Sequence, residues 1–346
     1  MRFITPNYKI LQETDPFLQI EGAGRTCYQS EPKEGDTPQA FFGRLKGRKH
    51  FAMIEFAHMV FHISDGDNVS WRQCKEYKYL DTTEVDGRRI VSGNMRAINE
   101  SGISILLKAI LAFDKNLAPL CYTADDELLN ADWSQLAVCK VIPEDQLDQY
   151  LLTVEEKIAH EYLAVRLQTC RGVTHEIVRN RPFSFAQEST RYVKYGKVDE
   201  NGDKEPMLFM LPPWIDHDDA VKLLANDWVL DPEDPEQYHK IREEYDFKTS
   251  TMVFLYGLMH DEYTYARLMD LGWAAQQSRE SLPNALKTEI VIKGPISQWL
   301  HFLFLRCDKP AHPQMREWTI PLFNELRTDR PEIWDRLLEK IDITGV

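Results

Sequence analysis

Between Arg179 and Tyr192 the chain reads RNRPFSFAQESTRY. Arg179, Arg181 and Arg191 stand there beside Gln187, Glu188 and Ser189, with Glu176 just upstream. Guanidinium groups grip phosphate through forked, charge-assisted hydrogen bonds. A serine hydroxyl adds a donor, and a glutamine amide matches the paired donor and acceptor on a base edge. The residue types point to capture of one small anion that carries a ring. The plainer alternative is a salt-bridged surface. Phe183, Phe185 and Tyr192 are interleaved with the charges, and a partly buried segment must give its charges partners. Further basic positions stand apart: Arg279 before ESLPNALKTE, Arg306 closing an apolar helix, and Arg316 in HPQMRE.

Other chemistries find less support. There is no GxxxxGK[ST], and EGAGRTC lacks the third glycine of a dinucleotide fingerprint. His58 and His62 lie four apart in HMVFH, but in a strand-like segment without the glutamate of HExxH, so they read as ordinary histidines and no metal is expected. No GxSxG elbow occurs, and none of the six cysteines lies in a recognisable activating context. The cysteines form no CxxC pair and read as reduced thiols. The formal net charge is −14, which argues against a broad basic surface for a nucleic-acid polymer. The opening residues have no apolar signal core and no long apolar run follows, so a cytoplasmic protein without a membrane span is expected.

The elements that must position these residues read as follows. RFITPNYKILQET alternates like a strand, EGAGRTCYQS reads as a glycine-containing turn, and TPQAFFGRLKGRKH as a short helix capped by Thr37 with Pro38 at its first position. MVFHIS is strand-like. Residues 65–155 read as an insertion or subdomain, with a turn at 92–94, a helix through Ile103 and Ile110, and acidic solvated stretches. YLAVRLQTC resumes as a strand, THEIVRN as a helix with Thr174 as its N-cap, and YGKVDENGDKEPMLFMLPPW as a hairpin. Helices dominate from about 236 onward, ISQWLHFLFLRC among them as a buried one. No internal repeat is evident. Strands early and helices late favour α+β, one domain over 1–346.

Taken together, these motifs resemble the flavin-dependent thymidylate synthases, the ThyX family. The family's hallmark is Arg-His-Arg, seven residues, then Ser; here Arg179-Asn180-Arg181 is followed by seven residues and Ser189. CRGVTHEIVRNR is similar to the context that precedes it in long members. GRTCYQS, KHFAMIEFAH, SGNMRA, SRESLPNALKTE and FLFLRCDKPAHPQMRE resemble further family segments, so the likeness spans nearly the whole chain. It implies a central, largely antiparallel sheet flanked by helices, and a homotetramer whose sites use more than one subunit.

The resemblance also implies roles. Glu176, Arg179, Gln187, Ser189, Arg191, Arg279 and Arg306 would hold a deoxynucleotide. Ser30, His50, Ala52, Glu55, Asn180, Arg181 and His301 would contact FAD. The implied reaction is reductive methylation of dUMP to dTMP, with methylenetetrahydrofolate and NADPH as co-substrates. No enzymatic cysteine takes part, and Arg279 and Arg306 would polarise the pyrimidine. Three positions depart from the family. Asn180 replaces the motif histidine, and Pro295 and Ser297 replace an Asn-x-Arg that helps hold the adenylate side of FAD. Two alternatives follow from them: an enzyme making another C5-modified pyrimidine deoxynucleotide, either hydroxymethyl-dUMP or a dCMP product, or a catalytically silent nucleotide binder.

Overall fold

The computed structural model describes residues 1–196 and 205–344. Among the described residues, ten strands form three sheets. Strands β1 (Arg2–Ile4) and β2 (Asn7–Leu11) are separated at Pro6, which has no N–H for a ladder. They are followed by β3 (His58–Ile63), β4 (Asp81–Val85), β5 (Arg88–Asn94), β6 (Cys139–Ile142), β7 (Tyr162–Cys170), β8 (Ser184–Gln187), β9 (Leu208–Met210) and β10 (Lys287–Pro295). One antiparallel sheet has the order β2-β7-β10-β8, another the order β4-β5-β3-β6, and β1 pairs in parallel with β9. Helices flank the sheets, so the fold is the expected α+β type with antiparallel sheets. Strands, however, run through both halves instead of gathering early.

The two four-stranded sheets follow one plan. A row of paired residues crosses the first as Ile142, Val60, Ser92, Asp81. The matching row crosses the second as Leu11, Ala164, Lys293, Ser184. The helix Asn68–Glu76 follows β3 as Arg171–Ile177 follows β7. Strand β5 runs straight into the helix Met95–Glu100, as β10 runs into Ile296–Cys307. Even the close contacts recur: a Cβ added at Gly93 would come within 2.5 Å of Leu80, and one at Gly294 within 2.4 Å of the Phe183 ring. Leu80 and Phe183 each stand just before the outermost strand of their sheet. The edge strands are exchanged. β2, from the start of the chain, borders the later sheet, and β6 borders the earlier one. No repeat was legible in the sequence because register and packing, not residue identity, carry this correspondence.

Several local expectations change. Residues 22–30 are mostly helix, not turn: Pro16–Tyr28 starts at Asp15, whose carboxylate accepts from the Phe17 and Leu18 N–H groups, with Pro16 in its first turn. Gly24 serves packing there, since an added Cβ would lie 2.7 Å from Phe41 of the neighbouring helix Pro38–Gly47. Ser92 and Gly93 are strand, and Asn94 caps the next helix by accepting from Ala97 N–H. The cap of Arg171–Ile177 is Cys170, and Thr174 is buried inside that helix. The polar turn of the expected hairpin lies outside the described residues, and β9 finds its partner in β1. Ile296–Cys307 is only partly covered, with Phe304 and Leu305 exposed. Residues 65–155 supply three strands of the first sheet and share its core with Phe17, Phe42 and Phe61.

Candidate nucleotide site

The arginine-rich segment is held by its neighbours. Glu188 is buried and accepts from Tyr195 Oη at 2.8 Å, Lys287 Nζ at 3.0 Å and Glu289 N–H at 3.2 Å. This set satisfies the carboxylate and fixes the residues on either side of it. Gln187 donates from Nε2 to Thr174 Oγ1 at 2.8 Å and Thr288 Oγ1 at 3.3 Å. Ser189 N–H donates to the Cys27 carbonyl at 3.0 Å, which ties the segment to the end of the N-terminal helix. Tyr192 then packs on Tyr28, and Tyr28 Oη lies 3.4 Å from His50 Nδ1.

Arg306 pairs with Glu176 at 2.8 Å, joining the end of Ile296–Cys307 to the helix that leads into the first motif arginine. Its Nε is buried without a partner. A buried N–H donor left unmade is costly, so this atom has a reason to meet an acceptor on a bound molecule. Arg179 and Arg181 are exposed and make no ion pair among the described residues, while the Arg191 guanidinium lies over Tyr192 at 5.5 Å. Glu176, Gln187, Ser189, Arg191 and Arg306, with His50, therefore belong to one linked patch. Arg279 is engaged elsewhere, 3.6 Å from Glu280.

The positions implied for a flavin are distributed differently. Glu55 and Arg181 line one cleft of about 620 Å³ together with Pro295. Ser30 lines a separate cleft of about 710 Å³. Ala52 packs against the first core, and His301 is exposed on its helix. Asn180 donates its amide to the Ile177 carbonyl at 2.9 Å and so finishes the helix Arg171–Ile177.

Between the two clefts stands a buried polar cluster, and Tyr162 and Lys293 line both. Lys293 Nζ donates to the Phe56 carbonyl at 2.7 Å and to Gln19 Oε1 at 3.0 Å. Burial pushes its ammonium down to about 7, with Glu144 pulling the other way. His58 stacks on Tyr162 with ring centroids 4.4 Å apart, its Nδ1 buried and unpartnered, and burial holds its pKa well below the ordinary value. Asp81 is pushed up to about 6 by burial, opposed by a hydrogen bond from Tyr162. Sequence reasoning passed over this cluster. The available signal was a lysine inside the apolar strand EIVIKGP.

Residues 116–332, more than half of the chain, match the family Thy1, thymidylate synthase complementing protein, and the chain belongs to that family. Among curated proteins it is similar to a flavin-dependent thymidylate synthase of Corynebacterium glutamicum, 28% identical over 164 residues that make up 47% of this chain and 56% of the relative. One from Mycobacterium avium is 26% identical over 166 residues, with the same coverage. The chain thus spans little more than half the length of the curated relatives it matches. Among solved structures it is similar to Thymidylate Synthase X from Helicobacter pylori with FAD and dUMP, at 16% identity and a TM-score of 0.33 over 51% of this chain and 73% of that one. A UMP/dUMP methylase, PolB from Streptomyces cacaoi bound with 5-Br UMP, gives 16% and 0.37 over 66% and 89%.

Proposed function

We propose that this chain is a flavin-dependent thymidylate synthase that reductively methylates dUMP to dTMP. Methylenetetrahydrofolate and NADPH are its co-substrates, FAD is its cofactor, and it works as a cytoplasmic homotetramer. The observation that carries the reading is the linked patch: Arg306 held by Glu176, Gln187 held by two threonines, and Ser189 beside Arg191, all within a member of this family. Arg179 and Arg191 supply the charge for the substrate phosphate, and Ser189 Oγ adds a neutral contact. Thr174 and Thr288 take the Gln187 Nε2 donors, which leaves its Oε1 to accept from the pyrimidine edge. Arg306, with an unpaired buried Nε–H, stabilises charge that develops on the ring, and Arg279 would have to leave Glu280 to join it.

The cleft that holds Glu55 and Arg181 fits a flavin dinucleotide by size and by donor chemistry: about 620 Å³, with cationic side chains and exposed tyrosine rings. When bound, FAD supplies the hydride chemistry. Arg181 and Glu55 bind and orient it, and Tyr162, with His58 stacked behind it, closes the wall against water.

The test is incubation of the purified chain with dUMP, methylenetetrahydrofolate, NADPH and FAD, followed by chromatography of the nucleotide. Formation of dTMP together with bleaching of the flavin bands is expected; nucleotide bound but unchanged would overturn the enzyme reading. One observation favours a second reading, a silent nucleotide binder: the Asn180 amide is spent on the Ile177 carbonyl and offers little to a flavin. The same experiment with dCMP in place of dUMP separates the variant enzymes, because each leaves a distinct C5-substituted product.

A further inference from the structure

We infer that the chain is two copies of one folding unit, and that the cleft between them is a single composite site in which Asn94 and Arg96 of the first copy grip a dinucleotide's diphosphate in place of the Pro295 and Ser297 of the second. The inference rests on the flavin reading given above and goes beyond it in assigning the grip to the first half of the chain.

The matching rows, helices, glycine contacts and exchanged edge strands make the two halves counterparts. His58 pairs with Asn94 in the first sheet as Tyr162 pairs with Pro295 in the second. His58 and Tyr162 are therefore equivalents, and they stack on each other at 4.4 Å where the copies meet. Equivalent residues also line the 620 Å³ cleft together: Asp81 with Ser184, Asn94 with Pro295, and Ala97 with Gln298. Counting back from Asp81 and Ser184, Lys78 corresponds to Arg181, and both line the cleft.

Two identical copies would build a symmetric cleft. This one is chemically lopsided. The first copy offers the Asn94 amide and the Arg96 guanidinium, and at the same places the second offers a proline ring and a short hydroxyl. Arg96 is held in place by Glu55 and Glu100, both at 2.9 Å, through Nη1 and Nε, which leaves Nη2 unengaged. Arg181 approaches from the other copy without an ion pair among the described residues. Lys78, Arg96 and Arg181 line the cleft with Glu55, Asp81 and Glu100, so it brings three fixed cations to one wall system. Tyr77 and Tyr79, rings 5.7 Å apart, supply flat apolar surface for a base at its edge. Converging guanidinium groups with a stacking surface beside them recognise an aromatic nucleoside diphosphate.

The test is titration of FAD into the purified chain, read by quenching of flavin fluorescence, with dUMP affinity measured in parallel by calorimetry. We expect one FAD per chain. Arg96→Ala should weaken FAD binding about tenfold or more while dUMP affinity stays within about twofold. Ser297→Ala, at the counterpart position, should leave FAD affinity within about twofold. Glu100→Gln, which keeps the guanidinium and removes a competing carboxylate, should hold or raise it. Circular dichroism checks that each variant is folded. FAD affinity unchanged in a folded Arg96→Ala, or two FAD per chain, would overturn the composite site alone. A wild-type chain that binds dUMP but not FAD would overturn the flavin reading and this inference with it.

Discussion

Ser92 in the first sheet and Lys293 in the second stand at the same place in matching rows, yet their surroundings differ. Ser92 is fully buried and lies 2.8 Å from His160 Nδ1, and the other ring nitrogen of His160 lies 2.8 Å from Thr83 Oγ1. The helix Val154–His160 lies over that sheet, with buried Glu156 paired to Arg88 at 2.9 Å. Every polar group of this serine–histidine–threonine chain has a partner. Lys293, by contrast, sits on the wall of two clefts with its charge disfavoured by burial. One plan has thus been finished in two ways. A satisfied network closes the first sheet as structure, while the second keeps a polar group under strain beside open space, the condition in which a residue remains available to a ligand.

That contrast can be broken at several points. The largest effect is expected at the proposed nucleotide site in the second half: Arg306→Ala should cut dTMP formation about a hundredfold, because it removes a charged donor and leaves Glu176 without its partner. An effect under about threefold would detach Arg306 from the site.

Next comes the pair of glycines. Gly294→Ala should cost about 1–3 kcal/mol by driving a methyl into the rigid Phe183 ring, measured by urea unfolding. Gly93→Ala should cost less, since its obstacle is the end of a flexible leucine. The reverse order would break the packing account.

The pH profiles are smaller tests. Between pH 7 and 10.5 the unfolded chain holds a proton on residue 293 that the native state lacks, so stability should rise with pH across that window. Lys293→Met should remove the rise, read as urea midpoints at several pH values. For Asp81 the sign reverses. Between pH 3.8 and about 6 the native state holds the extra proton, so stability should fall as pH rises, and Asp81→Asn should flatten that limb.

Much of the substrate side was legible because its chemistry is local. Arg179, Gln187, Ser189 and Arg191 lie within one short segment, and Glu176 and Arg306 belong to recognisable motifs. The strands His58–Ile63 and Tyr162–Cys170 and the helix Pro38–Gly47 follow from β-branched and aromatic content and from Thr37 with Pro38. What escaped was set by distant partners. Gly24 looks like part of a turn until Phe41 is laid against it. Lys293 and Ser92 share no residue type, and only the ladder shows that they are counterparts.

The exchanged edge strands carry a consequence for the order of events during synthesis. Asn7–Leu11 leaves the ribosome well before its ladder partner Ala164–Gln168 is made. Throughout that interval an amphipathic strand has no native edge to join. The earlier sheet likewise stays open on the β3 side until Cys139–Ile142 arrives. Such long-range closures make for slow folding and expose sticky edges while it proceeds. Once closed, each sheet is locked by a strand from the other half, so the chain should melt in one transition rather than half by half.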